Sequence, residues 1–386
     1  MRKSLKGHVK QKKGQITLDI HLCQYRIPGM IAFDTNRLYE SAMTATGSLK
    51  QEIPLKWMGP ISIVHPFKEE VQVPLATYES ALWPSVNRGA KISRLCSGIH
   101  VDISYSGMTR SVAVEARSGQ EASRISREFM TLMPRWHEAV KTTSRFAKLI
   151  DVYTQVVGPL LFIRLSFNTA DAAGHNMSTK AAEAVLNKIL EVWPTLRYVT
   201  LSANLCCDKK VSSINAIEGR GWKAQAFLRI PREICQRHLQ TTPENIQDLH
   251  VKKNLLGSVL AGSSQSANAH FANMLLAFYL ASGQDAANIV EGSQGITHAE
   301  VIEDELHFSV LLPSLILGTV GHGKEGSQAI AHLKAMGCLP TDHPGESASR
   351  LASLAAAVVL CGELSLLAAL TRPGELMRAH TVFERT

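Results

Sequence analysis

Along the chain the apolar positions change their spacing, and each change marks an element. Short alternating or continuous apolar runs predict strands at 61–67 (ISIVHPF), 71–76 (VQVPLA), 111–116 (SVAVEA) and 159–167 (PLLFIRLSF). Further strands are predicted at 196–203 (LRYVTLSA), 223–230 (KAQAFLRI) and 306–314 (LHFSVLLPS). Apolar residues three and four apart predict helices from Tyr78 to about Val86, over 120–132, near 136–150 and over 179–193. Small-residue helices are expected at 257–282, 328–336 and 348–370. Asn87-Arg88-Gly89 closes the first helix, where Gly89 fits a left-handed stop or a close backbone approach. The first 50 residues are polar and basic, with one alternating stretch, QITLDIHL, and one helix candidate, TNRLYESAMTA.

From 111 to 200, strands and helices alternate as in a compact α+β unit of ferredoxin-like type. The expected organisation is an N-terminal region at 1–55, then a large α/β body formed by 56–110 and 201–386. The smaller unit, 111–200, is inserted in it. The stretch ASLAAAVVLCGELSLLAAL at 352–370 is long enough to cross a bilayer, but Glu363 lies inside it. Its alanine, serine and glycine content suits a packed core helix. We read it as buried, and expect a protein without a membrane segment. The basic start lacks the apolar run of a secretory signal. Seven scattered cysteines with no CxxC pair fit reduced thiols in a cytoplasmic protein and no metal clip.

The net charge of +8 invites a nucleic-acid reading, yet six basic residues fall within the first thirteen positions. No basic stripe interleaved with aromatics follows. A moderately basic body suits a polyanionic small ligand equally well.

The candidate chemistry lies in charges set beside apolar runs. Asp208, Lys209 and Lys210 follow the run RYVTLSANL, separated from it only by Cys206 and Cys207. Ammonium groups taken out of water must be paired, neutralised or used, although a strand-end turn with solvated lysines has the same sequence. Glu79 sits in VPLATYESALW, and Asp285 in LLAFYLASGQDAANIV. A half-buried glutamate has a raised pKa and can donate a proton near neutrality; a solvent-facing acid at a helix end does nothing of the kind. His380 stands near the C-terminus, and Gly318-Thr319-Val320-Gly321-His322-Gly323 is a glycine-rich turn of weak specificity. No GxGxxG leads a strand into a helix.

Several stretches in the same order carry a resemblance. They include VPLATYESALWPSVNRGAK, DAAGHNMS, LSANLCCDKKVSSINAIEGRG, KKNLLGSVLAG, GQDAAN and LPSLILGTVGHG. From about residue 57 to its end the chain resembles the catalytic portion of hydroxymethylglutaryl-coenzyme A (HMG-CoA) reductase, of the type shared by eukaryotes and archaea. The resemblance implies NADPH-dependent conversion of HMG-CoA to mevalonate and coenzyme A. It implies Lys209 as oxyanion stabiliser, Glu79 as proton donor, Asp285 as the bridge between them, and His380 as donor to the departing thiolate. It assigns Arg110, Ser202, Asp208, Lys210 and Lys253 to the HMG portion. Ser85, Asn87, Arg88, His270 and Ser365 fall on the coenzyme A path. Ser144, Arg145, Asp171, Gly174, Asn176, Gly318, Gly321 and Gly323 fall in the nicotinamide cofactor region. It also implies a homodimer or larger homo-oligomer with sites between subunits.

The chain departs from the family's pattern at several points. LKWMGPISIV replaces an ENVIG-like stretch, Ser80 a glycine and His175 a methionine, while His322 and Lys324 alter the glycine turn. One residue is added between Ser365 and His380, and the eukaryotic regulatory serine would fall at Thr386. These changes keep two rivals in view: a catalytically silent acyl-CoA-binding relative, and a basic nucleic-acid binder.

Overall fold

Strand Ile99–Glu115 runs through two sheets and sets the arrangement of the rest. The structure is a computed structural model. It describes residues 52–263, 265–321 and 328–384, together with Gln11–Lys12 and Gln15–Ile16, a short antiparallel pair. The helix candidate TNRLYESAMTA, most of QITLDIHL, and His322, Gly323, Lys324 and Thr386 lie outside the described residues.

The first half of this strand, 100–107, pairs with Gly221–Pro231, which pairs with Glu305–Leu315 and then Ile296–Ile302. On its other side stand Leu55–His65, in the sheet's parallel pairing, and Glu69–Ala76. Period-two burial explains the strand Gly221–Pro231: Ala224, Ala226, Leu228 and Ile230 enter the core while their neighbours do not. Helices Leu82–Leu95, Phe271–Ala281 and Glu346–Leu370 pack into that core. The last is the one helix among the described residues long and apolar enough to cross a membrane, and it is buried inside the protein.

The second half, 108–115, lies between Leu160–Asn168 and Arg197–Thr200, with Lys148–Val157 outside Leu160–Asn168. Helices Gly119–Phe129 and Met133–Lys141 form one crossover, and His175–Val192 the other. All pairings are antiparallel, which gives the βαββαβ order of a ferredoxin-like unit. Its separate core is built around Phe129, Trp136 and Trp193.

Three predicted elements differ from those observed. The first helix does not stop at Gly89 but runs to Leu95, and Glu79 precedes it in a turn. Gly89 is required by close approach: a Cβ there would lie 2.2 Å from the Cys361 carbonyl oxygen of the long helix. Gly89→Ala is therefore expected to cost about 2–3 kcal/mol through overpacking, read as a lower denaturant midpoint with unchanged slope. The helix near 136–150 ends at Lys141, because LIDVYTQVV has the β-branched and aromatic alternation of strand Lys148–Val157. The helix expected over 257–282 is broken between Leu260 and Phe271, where Gly262 has φ +71°.

Candidate active site

The loop carrying Asp208, Lys209 and Lys210 is held in a conformation that ordinary residues avoid. Asn204, Cys207 and Lys209 have φ of 61°, 47° and 54°. Each such residue costs roughly 1 kcal/mol or more, and persists only when its surroundings fix it. Here the surroundings do. The Ser111 hydroxyl accepts from the Cys206 amide at 3.1 Å, and the Asn215 side chain donates to the Cys207 carbonyl at 3.0 Å. The Lys209 amide donates to Glu291 at 2.8 Å. The lysines are therefore neither a slack turn nor wholly solvated.

Lys209 Nζ donates to Asp285 Oδ2 at 2.6 Å, and Asp285 Oδ1 accepts from the Ala287 amide at 3.0 Å. Burial pushes the Asp285 carboxyl up, but the hydrogen bonds from Lys209 and Ala287 outweigh it and hold it below its ordinary value. Asp208 lies 3.0 Å from Arg220 Nη1, 3.8 Å from Arg110 and 3.9 Å from His175. Arg110 also reaches the Ser202 hydroxyl at 3.4 Å, and Lys210 Nζ donates to the Asp208 carbonyl at 3.1 Å. His175 shares a 3.0 Å hydrogen bond with Asn288; burial, then the nearby Arg220 cation, lower its pKa and favour the neutral ring. Beneath these groups Arg220 and Glu291 form a fully buried pair at 2.6 Å. Burial raises the Glu291 carboxyl to about 7 against the pull of Arg220. Four predicted residues (Lys209, Asp285, Asp208, Arg110) thus form one network with Ser202 and Lys210 at its edge.

A second group lines a cavity of about 480 Å³: Glu79, Ser85, Arg88, Lys253, His270 and Ser365, with Glu375 and Arg378 from the C-terminal helix. Ser85 donates to the Ser365 hydroxyl at 3.0 Å, and Arg88 donates to the same hydroxyl and to the Ser365 carbonyl. His270 binds the Gly362 carbonyl at 3.0 Å. Asn87 is turned elsewhere and accepts from the Gly59 amide at 2.8 Å. His380 belongs to helix Glu375–Glu384, which contributes Glu375 and Arg378 to this cavity. Among the described residues no hydrogen bond or ion pair joins Glu79 to Lys209 or Asp285 within the chain.

The third predicted group divides. Asp171 is committed: its carboxylate accepts from the amides of Gly345 and Ala348 and from the Ser347 hydroxyl, capping helix Glu346–Leu370. Gly318 serves close approach, since a Cβ there would meet the Ala173 amide nitrogen at 2.3 Å. These residues tie loop 169–175 to the turn at 318–321. Gly174 has φ +92° and starts helix His175–Val192 without a capping side chain, and Asn176 is exposed in its first turn. Gly321 has φ +104°, and among the described residues nothing lies within 4 Å of where its Cβ would stand. Arg145 is exposed over the Phe146 ring and Ser144 accepts from the Phe146 amide, while Gly323 is outside the described residues.

On the exposed sheet face His65, His100 and Asp102 lie close together. The two imidazoles stack 4.3 Å apart and nearly parallel, and their Nε2 atoms lie 3.8 Å and 3.0 Å from the same oxygen, Asp102 Oδ1.

Arg220, Glu291, Thr109 and Asn288 were not singled out from the sequence. EGRG carried a signal for Arg220, an arginine between two glycines directly before an apolar strand. Glu291 offered only an acid in the apolar context IVEG.

The hydroxymethylglutaryl-coenzyme A reductase family model matches residues 44–385. The 3-hydroxy-3-methylglutaryl-coenzyme A reductase of Pyrococcus abyssi is 42% identical over 340 residues, covering 86% of this chain and 82% of the relative. That of Haloferax volcanii is 40% identical over 336 residues, with 86% and 83% covered. Among solved structures, the class II 3-hydroxy-3-methylglutaryl-CoA reductase from Streptococcus pneumoniae bound to NADPH matches with a TM-score of 0.68. Identity there is 17%, over 87% of this chain and 80% of that one, a likeness of fold.

Proposed function

The chain belongs to the hydroxymethylglutaryl-coenzyme A reductase family, and on that premise we propose how its residues divide the work. The reaction converts HMG-CoA to mevalonate and coenzyme A, in two reductions with a thiol departure between them. NADPH supplies the hydride for each. The observation that carries the reading is the Lys209–Asp285 pair, an ammonium aimed and fixed by a clamped loop.

As the thioester carbon is reduced, negative charge gathers on its oxygen. Lys209 stabilises that charge, and a preoriented ammonium in a partly dry site loses little in reorganising to do so. Collapse of the resulting hemithioacetal expels the coenzyme A thiolate, to which His380 gives a proton. Reduction of the aldehyde then draws a proton from Glu79, leaving the alcohol. Arg110, Ser202, Asp208, Lys210 and Lys253 hold the HMG portion, whose free carboxylate explains the excess of cations. Ser85, Arg88, His270 and Ser365, joined around one cavity, take the coenzyme A side.

Of the groups expected to hold NADPH, three fit it, while Asp171 is taken up in capping helix Glu346–Leu370. The uncapped start of helix His175–Val192 offers backbone N–H groups to a phosphate, Gly321 leaves room beside it, and Arg145 has no carboxylate partner among the described residues. Residues 111–200 would form the cofactor domain and the remaining body the acyl-CoA domain. That no hydrogen bond or ion pair joins Glu79 to Lys209 among the described residues agrees with a site completed across a homodimer. The proposal places the enzyme in the cytoplasm, free of membrane and nucleic acid.

The test follows reduced-nicotinamide absorbance with HMG-CoA, comparing NADPH with NADH. Oxidation dependent on HMG-CoA is expected; coenzyme A binding without turnover would favour a silent relative instead. Arg145→Ala should raise KM for NADPH about tenfold or more while leaving KM for NADH unchanged, as loss of a charge-assisted phosphate contact requires. Equal shifts for both cofactors would remove Arg145 from phosphate recognition.

A further inference from the structure

Lys209 reaches Asp285 through its side chain, but its backbone is fixed from below by residues with no assigned role. The Lys209 amide donates to Glu291 Oε2 at 2.8 Å, and Glu291 Oε1 receives Arg220 Nη1 at 2.6 Å. The same Nη1 lies 3.0 Å from Asp208 Oδ1. Arg220 Nε donates to the Thr109 hydroxyl at 3.0 Å and Nη2 to the Thr109 carbonyl at 3.4 Å. Both ionic side chains are completely buried.

We propose that the Arg220–Glu291 pair is the positioning device of this active site, holding Lys209 and Asp208 in register with Asp285. The proposal rests on the reading of Lys209 as oxyanion stabiliser.

Three features support it. First, the pair touches two charged residues of the catalytic loop at once, Lys209 through its amide and Asp208 through its carboxylate. Second, Glu291 lies in the short segment that also carries Asp285, so one element fixes Lys209 at its backbone and at its ammonium. Third, the chain is built to turn Arg220 inward. Its neighbours Gly219 and Gly221 have φ of +79° and +75°; a Cβ on Gly219 would lie 2.3 Å from the Ser106 hydroxyl, and one on Gly221 2.6 Å from the Leu315 carbonyl oxygen. A pair serving only to fill the core would need neither the charges nor these two turns, since apolar side chains fill such space at no greater cost.

Two variants test the proposal against Lys209→Ala. Glu291→Gln keeps the shape and removes the charge facing Arg220. The double replacement R220M/E291L removes both charges and the acceptor of the Lys209 amide while filling the volume. Each is checked for cooperative unfolding and then assayed for kcat, KM for HMG-CoA and KM for NADPH. The expected result is a fall in kcat of about 100-fold, the penalty of a displaced catalytic group, with KM for NADPH within about threefold of the parent and any rise in KM for HMG-CoA, from the displaced Asp208, smaller than the fall in kcat. Turnover near the parent's in either folded variant, or a loss confined to KM, would overturn the proposal. Failure of both variants to fold would assign the pair to stability and overturn it too. If Lys209→Ala itself retains full turnover, the reading of Lys209 fails separately, whatever the other variants do.

Discussion

Replacing Lys209 with alanine is expected to lower kcat by about 10³-fold or more, with coenzyme A binding retained. A single oxyanion donor is worth about 10²–10³ in rate, and a full ammonium in a partly desolvated site is the stronger case. Asp285 loses its 2.6 Å partner in this variant, so some loss of order in the 285–288 turn accompanies the chemical defect. Isothermal titration with coenzyme A separates the two, because among the described residues no hydrogen bond or ion pair joins the groups around Ser365 to Lys209. If the site is completed across a dimer, coexpression of Lys209→Ala with Glu79→Gln restores part of the activity that each lacks alone. No restoration in proven mixed dimers would place both residues in one chain's site.

Glu363→Ala should destabilise the fold by about 3–5 kcal/mol, the largest effect expected away from the site. Glu363 is fully buried on the long central helix, and among the described residues no cation forms an ion pair with it. It accepts from the Ala269 amide at 2.7 Å, the His270 amide at 3.1 Å, the Thr297 hydroxyl at 2.7 Å and the Asn254 side chain at 3.4 Å. The carboxylate therefore closes the start of helix Phe271–Ala281, where backbone amides and a partial positive charge would otherwise be stranded. Alanine leaves several donors buried without an acceptor, each costing about 1–3 kcal/mol. Chemical denaturation measures the loss. A change below about 1 kcal/mol would mean that water replaces the carboxylate.

Glu363 also illustrates what a sequence can disclose. A single acid in a long apolar run argues against a bilayer and for a protein core, because only a core can supply directed donors. The donors themselves come from residues far away in the chain, and no local pattern points to them. The same holds at the site. Strand-end placement and the DKK charges marked Lys209, whereas its dependence on Glu291 is a contact between residues 82 apart. Gly89 was legible as a special position but not as a helix crossing, since a stop and a close approach both demand glycine. The ferredoxin-like unit was legible because its elements alternate locally. Strand Lys148–Val157 escaped notice where an edge strand's exposed face blurred the apolar spacing into that of a helix.

The strand shared by the two sheets gives the chain two tempos of folding. Residues 108–200 can close their own sheet by pairings that span fewer than a hundred positions, so they are suited to form soon after leaving the ribosome. The other half of the same strand must wait for Gly221–Pro231, and that strand in turn for Glu305–Leu315. Until then, 100–107 is an open template extending from a finished unit. Chaperone demand during synthesis should therefore peak in that interval, and truncation before residue 221 should leave a chain that folds in part and aggregates through that edge.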